Sequence, residues 1–192
     1  MRRNGSGVTH RKIEKTWVKR GVKIHEPKDK AGQPRDNSGL CGGPSPQFRN
    51  HVWSCHFLAT QTSGGSIVRI LTIIDEYTHE CVRSLVDRHI SFQSISDELF
   101  SLFLHRGIPR CICLGEDNEI MAKALCAWLS ELEIDIAIPA PGKNCRNGYG
   151  GVFEEKCKEA LVHAKKFSTF QEARIWVDNW TDEFNRLINL LR

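Results

Sequence analysis

The sequence predicts an α/β domain in which one mixed five-stranded sheet carries helices on both faces. Three observations predict it. Three β-rich runs follow one another across gaps no longer than a turn, the apolar period then changes from two to between three and four, and short apolar runs thereafter alternate with helical segments. An antiparallel meander running into parallel strands joined by helical crossovers suits this order, β-β-β-α-β-α-β-α-α.

The chain opens on a basic segment. Residues 9–24 (THRKIEKTWVKRGVKI) place Ile13, Trp17 and either Val18 or Ile24 on one helical stripe, with Gly21 as the stop signal. From Pro27 to Asn50 the chain carries Gly, Pro, Asn and Asp without periodicity, which predicts a linker. Two parts are expected, an arm over 1–50 and a body over 51–192.

In the body, HVWSCHFLAT (51–60), SIVRILTII (66–74) and ECVRSLVD (80–87) predict strands, with turns at 62–65 and 75–79. Phe92, Ile95, Leu99, Leu102 and Phe103 then make one helical face, and Ser91 stands ready as N-cap. Beyond Gly107-Ile108-Pro109 comes the short apolar run CICL (111–114). Ala122, Leu125, Cys126, Leu129 and Leu132 mark the buried side of a second helix, and Ile134, Ile136 and Ile138 alternate as a fifth strand. Past a loop over 139–148, Phe153, Cys157, Ala160, Leu161 and Ala164 mark a third helix. Thr169-x-x-Glu172 is a capping box opening the last one, whose stripe is Trp176, Val177, Trp180, Phe184, Leu187, Ile188 and Leu191. Its aromatic rings are assigned to the core, since their period fits packing on the sheet.

Charge is unevenly distributed over the 192 residues. Residues 1–50 carry 12 Lys or Arg against 4 acids, a balance of +8, whereas residues 51–192 carry 15 against 19, a balance of −4. A basic arm on a mildly acidic body points to a polyanionic partner, because Lys and Arg gain affinity by displacing counterions from phosphates. The candidate contacts are Arg2, Arg3, Arg11, Lys12, Lys15, Lys19, Arg20 and Lys23. No apolar run reaches the roughly 18 residues of a membrane span, and the polar start lacks the apolar segment of a signal peptide. The expectation is a cytoplasmic protein, nucleoid-associated if it holds DNA. The eight cysteines include no Cys-x-x-Cys pair, and Cys111 and Cys113 share one side of a strand, so they are expected as buried thiols rather than disulfides or zinc ligands.

A set of short motifs carries a resemblance. The pieces are Asn50-His51-Val52-Trp53-Ser54-x-x-Phe57, then Leu71-Thr72-Ile73-Ile74-Asp75-Glu76-Tyr77-Thr78-x-Glu80-Cys81, then Arg106-Gly107-Ile108-Pro109 and Ala122-Lys123-Ala124 with Trp128-Leu129. Pro141-Gly142, Asn147-Gly148-Tyr149, Phe153 and Phe170-x-Glu172-Ala173 complete them. In this order the chain from 51 onward resembles the catalytic cores of insertion-sequence transposases and retroviral-type integrases, the DDE recombinases. The resemblance implies a ribonuclease H-like fold and DNA as partner, both transposon ends and target. It also implies self-association and three carboxylates that hold two Mg²⁺ or Mn²⁺ ions. Two such ions clamp the attacking and leaving oxygens of phosphodiester strand transfer, and hard cations of this kind need oxygen donors.

The sequence departs from the family at each carboxylate. The pattern Trp-Ser-x-Asp-Phe reads Trp53-Ser54-Cys55-His56-Phe57; Ser-Asp-Asn-Gly-Pro-Glu-Phe falls on Leu114-Gly115-Glu116-Asp117-Asn118-Glu119-Ile120; Glu-Asn-Gly-Tyr-x-Glu-Ser-Phe becomes Arg146-Asn147-Gly148-Tyr149-Gly150-Gly151-Val152-Phe153. His56, Gly115 and Gly151 therefore stand at the triad positions, and no metal is expected in this copy. Nearby acids leave a remodelled site open: Asp75, Asp117, Glu154 and Glu155, with His56, Asp117 and Glu155 as its leading set and solvated surface charge as the alternative. Both ends look shortened against the pattern. The function expected is a transposase core for DNA transposition, impaired in strand transfer; the alternative is a non-catalytic module that binds DNA or a related transposase.

Overall fold

The structure, a computed structural model, describes residues 43–114, 119–138, 149–163 and 167–190. These all lie in the second of the chain's two compact units, Met1–Arg35 and Asp36–Arg192. The expected basic helix over 9–24, the loop over 139–148, Ala164 and Leu191 fall outside the described residues.

Among the described residues nine elements appear in the expected order: β1 (Val52–Gln61), β2 (Ile67–Asp75), β3 (Cys81–Asp87), α1 (Phe92–Arg106), β4 (Cys111–Leu114), α2 (Glu119–Glu131), β5 (Asp135–Ala137), α3 (Tyr149–His163) and α4 (Phe170–Leu190). The strands form one sheet in the order β3-β2-β1-β4-β5. The β1–β2 and β2–β3 pairs are antiparallel, and β1–β4 and β4–β5 are parallel. This mixed sheet with helices on both faces is the ribonuclease H-like arrangement.

Alternation along β1 and its neighbours separates two faces. Trp53, Cys55, Leu71, Ile73, Ile112 and Leu114 meet Ile95, Leu99, Leu102 and Phe103 of α1 and Leu125 and Leu129 of α2 in one apolar core. Trp53, wholly buried, stacks on Phe103 at 5.9 Å between ring centroids, and Phe103 continues onto Trp128. α1 is held at both ends by local chemistry. The Ser91 hydroxyl accepts from the Ser94 amide, and Gly107, at φ 85°, gives its N–H to the Phe103 carbonyl. A glycine suits that terminus because φ is positive.

On the other face α3 packs against β1 and β2, and α4 against β3. Phe153 of α3 meets Trp180 and Phe184 of α4 edge-on at 4.8 and 4.7 Å, so those two rings are core, as expected. The Asn185 side chain accepts from the Cys81 amide at 2.8 Å and donates to the Cys81 carbonyl at 2.9 Å, taking the place of a neighbouring strand on β3. The Thr169 cap on α4 is also present, its hydroxyl accepting from the Glu172 amide.

Several expectations need correction. Leu132 is exposed, because the chain leaves α2 at Glu131 and turns through Glu133 at φ 58°. β5 is three residues long, so Ile138 lies beyond it and is exposed. Trp176 and Leu187 are half-buried flanks of the α4 stripe. The last residues assigned to the linker also join the body. Asn50, at φ 59°, donates its amide to Asp75 and its side-chain amide to the Arg106 carbonyl, and its side-chain oxygen accepts from the Trp53 indole. Among the described residues, no helix is long and apolar enough to cross a membrane.

Candidate active-site pocket

The even-numbered residues of β1 build the pocket. Ser54 and His56 share a parity, so both point to the α3 side of the sheet, opposite Trp53 and Cys55. Register places Ile74 and Thr72 of β2 beside them. Both polar side chains are buried, as is Glu76, the residue after β2. A buried polar group costs stability unless it finds partners, and these three find one another. The Ser54 hydroxyl donates to Glu76 Oε1 at 2.5 Å, His56 Nε2 lies 3.0 Å from Ser54 Oγ, and His56 Nδ1 lies 3.2 Å from Glu154 Oε2. Glu154 also takes the Lys158 ammonium one turn further along α3. The result is a continuous chain from Glu76 through Ser54, His56 and Glu154 to Lys158.

The electrostatics follow the contacts. Burial works to raise the Glu154 carboxyl, but the hydrogen bonds from His56 and Lys158, and their charge, outweigh it and hold it down at about 2. Gly151 is buried one helical turn before Glu154. Position 154 thus brings an acid to His56 from one helical turn beyond Gly151.

The other candidates are placed differently. Asp75 is wholly buried and committed to its own turn, accepting from the Asn50 amide, the Tyr77 amide and the Thr78 hydroxyl. Glu155 is exposed and does not join the His56 chain. Gly115 and Asp117 lie outside the described residues, as do Arg2, Arg3, Arg11, Lys12, Lys15, Lys19, Arg20 and Lys23. Other motif residues are scaffold: Glu80 takes Arg106 through two hydrogen bonds, at 2.8 and 3.1 Å, and Arg49 at 3.2 Å. That fork ties the β2–β3 turn to the end of α1. Sequence reasoning missed Ser54 and Glu76 as pocket residues. For Ser54 the signal was available in strand parity, which puts position 54 beside 56; Glu76, past the end of β2, carried no such signal.

The donor set does not fit a magnesium pair. Hard cations take oxygen donors, whereas the central side chain here is an imidazole whose two nitrogens are both engaged. Among the described residues, no group of three or more His, Cys, Asp or Glu side chains is placed to hold a metal ion. Burial pushes the Cys55 and Cys157 thiols up to about 12, and Cys111 and Cys113 pack with Val52 and Ala137 as small apolar side chains.

Against this geometry, comparison with known proteins gives two curated relatives. The chain is similar to an uncharacterized 31.7 kDa protein of insertion element IS407 from Burkholderia multivorans, at 26% identity over 187 residues, covering 96% of this chain and 66% of the relative. It is similar also to an uncharacterized 39.2 kDa protein of insertion element IS476 from Xanthomonas euvesicatoria, at 25% identity over 181 residues, covering 94% of this chain and 51% of the relative. The chain therefore spans 66% and 51% of the lengths of these two relatives. Among solved structures it is similar to the Mos1 transposase catalytic domain with Raltegravir and Mg, with TM-score 0.49, 12% identity and coverage of 73% and 77% of the two chains. It is similar too to the HTLV-2 integrase catalytic core domain in complex with magnesium, with TM-score 0.42, 10% identity and coverage of 62% and 76%. No family model matches the sequence.

Proposed function

We propose that this chain, similar to two insertion-element proteins, serves DNA transposition as a transposase core that does not itself perform metal-dependent strand transfer. One observation carries the reading. His56 stands where the resemblance puts the first metal carboxylate, and both of its ring nitrogens are taken up by Ser54 and Glu154. Gly151, at the third position, offers no side chain at all. The partner is DNA, both element ends and target. The basic residues from Arg2 to Lys23 contact its phosphates, so binding is salt-dependent and largely indifferent to sequence. The chain self-associates, but every copy lacks the same carboxylates, so only association with an intact relative brings a complete set into the assembly. The same closed pocket favours a second reading, a purely non-catalytic module that holds DNA or a related transposase.

Two measurements test this. In an electrophoretic shift with duplex DNA, binding is expected at low salt and falls steeply as salt rises; absence of a shift at low salt removes DNA as partner. In strand transfer on an element-end oligonucleotide with Mg²⁺ or Mn²⁺, the wild-type chain is expected to be inert. The triple variant His56→Asp, Gly115→Asp, Gly151→Glu is expected to gain turnover, whereas wild-type turnover would overturn the impairment.

A further inference from the structure

A helix that lies on a sheet normally turns charged and polar residues to solvent. α3 and α4 do so, with Glu155, Lys158 and Glu159 outward on the first and Arg174, Asp178 and Asp182 on the second. α1 is different. At about 100° per residue, Gln93, Asp97, Phe100 and Leu104 share one stripe, opposite the Ile95, Leu99 and Leu102 side that enters the core. Phe100 is 57% exposed and Leu104 71%, and Ile108, just past the Gly107 cap, is 61% exposed. Leaving large apolar side chains in water one turn apart forgoes the free energy of burying them, and a grouped apolar surface of this kind marks contact with another molecule.

We propose that this face of α1 pairs with the same face of a second copy of the chain, the two helices running antiparallel about a two-fold axis near Ser101. This deepens the self-association assigned above, and rests on that reading, by naming the surface that carries it.

Charge selects both the partner and the direction. The stripe passes from an acid, Asp97, held by the Gln93 side-chain amide at 2.8 Å, to a basic last turn of His105 and Arg106. A surface with opposite signs at its two ends complements itself under a two-fold rotation, as a contact between identical patches requires. Antiparallel pairing sets Asp97 of one copy level with His105 of the other, four residues to either side of Ser101. Both lie on the Ser101 flank of the stripe, so the rotation brings them to the same side of the contact. It also opposes the two helix dipoles, whereas parallel pairing would set Asp97 against Asp97. The apolar side chains fall between these ends, with Phe100 of each copy near the axis and Leu104 beside it. One helix face is smaller than the roughly 800 Å² per partner of a standard interface, so a micromolar rather than nanomolar Kd is expected.

The test is sedimentation equilibrium of the full 192-residue chain from about 1 µM to about 1 mM. Wild type is expected to dimerise reversibly across this range. Phe100→Asp and Leu104→Asp are each expected to weaken the dimer at least about tenfold. Because both side chains are exposed, each variant is expected to melt within about 2 °C of wild type at concentrations where the chain is monomeric. Ile175→Asp, on the outer face of α4, is expected to leave the dimer intact. Asp97→Arg is expected to weaken it, and adding His105→Glu to Asp97→Arg to restore it.

A dimer that both α1 variants leave intact, or that Ile175→Asp alone abolishes, overturns the assigned face. Failure of both α1 variants to fold overturns it too, since those side chains would then support the monomer. A loss in Asp97→Arg that His105→Glu does not restore overturns the antiparallel arrangement. A chain still monomeric at about 1 mM removes both this face and self-association. The electrophoretic shift keeps the two proposals apart. DNA binding with a dimer indifferent to α1 sinks only this face, and an α1 dimer that binds no DNA at any salt sinks only the assigned function.

Discussion

The two sides of β1 differ in what holds them. Toward α1 and α2, Trp53 and Cys55 enter a continuous apolar core; toward α3, Ser54 and His56, one residue away in each case, enter a chain of hydrogen bonds and ion pairs. Apolar burial is non-directional and stabilises in proportion to area, so the first side supports the fold almost regardless of which apolar residues fill it. The second side depends on donors meeting acceptors at set positions, and a buried ionic network adds little net stability over an apolar filling. One strand therefore carries both an apolar core that makes the molecule fold and, on its other face, a buried polar network.

Changing each side in turn sharpens this contrast. The largest loss is expected from Trp53→Ala, at about 3–5 kcal/mol in urea unfolding, because it opens a cavity in the apolar core and strands the Asn50 side-chain oxygen. On the polar side His56→Leu is expected to cost about 2–3 kcal/mol, since it removes the ring's hydrogen bonds to the Ser54 hydroxyl and the Glu154 carboxylate. Adding Glu154→Leu is expected to bring stability back to within about 1 kcal/mol of wild type. A double variant as unstable as the sum of its parts would mean that the network does support the fold. Asn185→Ala is expected to cost about 1–2 kcal/mol and to raise amide exchange at Cys81, by freeing both backbone groups it satisfies.

Acid separates the two sides as well. The Glu154 carboxyl sits at about 2 in the folded chain against its ordinary 4.5. The native state therefore binds fewer protons than the unfolded chain between those values, and the stability Glu154 contributes is full above 4.5 and lost as pH falls through 2. Glu154→Gln is expected to flatten that part of a thermal-unfolding profile, while Trp53→Ala lowers the whole profile without changing its slope. The smallest effect is expected from Ser91→Ala, at about 1 kcal/mol, the worth of one N-cap on α1.

Much of the fold was legible because periodicity reports burial. The period-two runs gave β1 to β3 within a residue of their ends, and Ser91 and Thr169 announced their helices through capping chemistry. Leu132 and Ile138 were misread for one reason. Each is an apolar residue just beyond the end of its element, where it continues the pattern in the letters but no longer shares the element's buried face. The resemblance pointed to positions 56 and 151, and the choice between Glu154 and Glu155 was a matter of helical phase. At about 100° per residue, Glu154 lies about 60° from the Phe153, Cys157, Leu161 direction and Glu155 about 160° away. That arithmetic needed no coordinates. The link through Ser54 to Glu76 did need them, since it joins the middle of one strand to a residue past the end of another.

The Asn185 amide has a bearing on how copies of this chain meet. At Cys81 both main-chain groups on the outer margin of the sheet are already satisfied by a side chain of the same molecule, so no neighbouring polypeptide can extend the ladder at that point. Strand addition is blocked at Cys81 from within, and a copy meeting the chain at that point must do so through side chains rather than shared backbone hydrogen bonds.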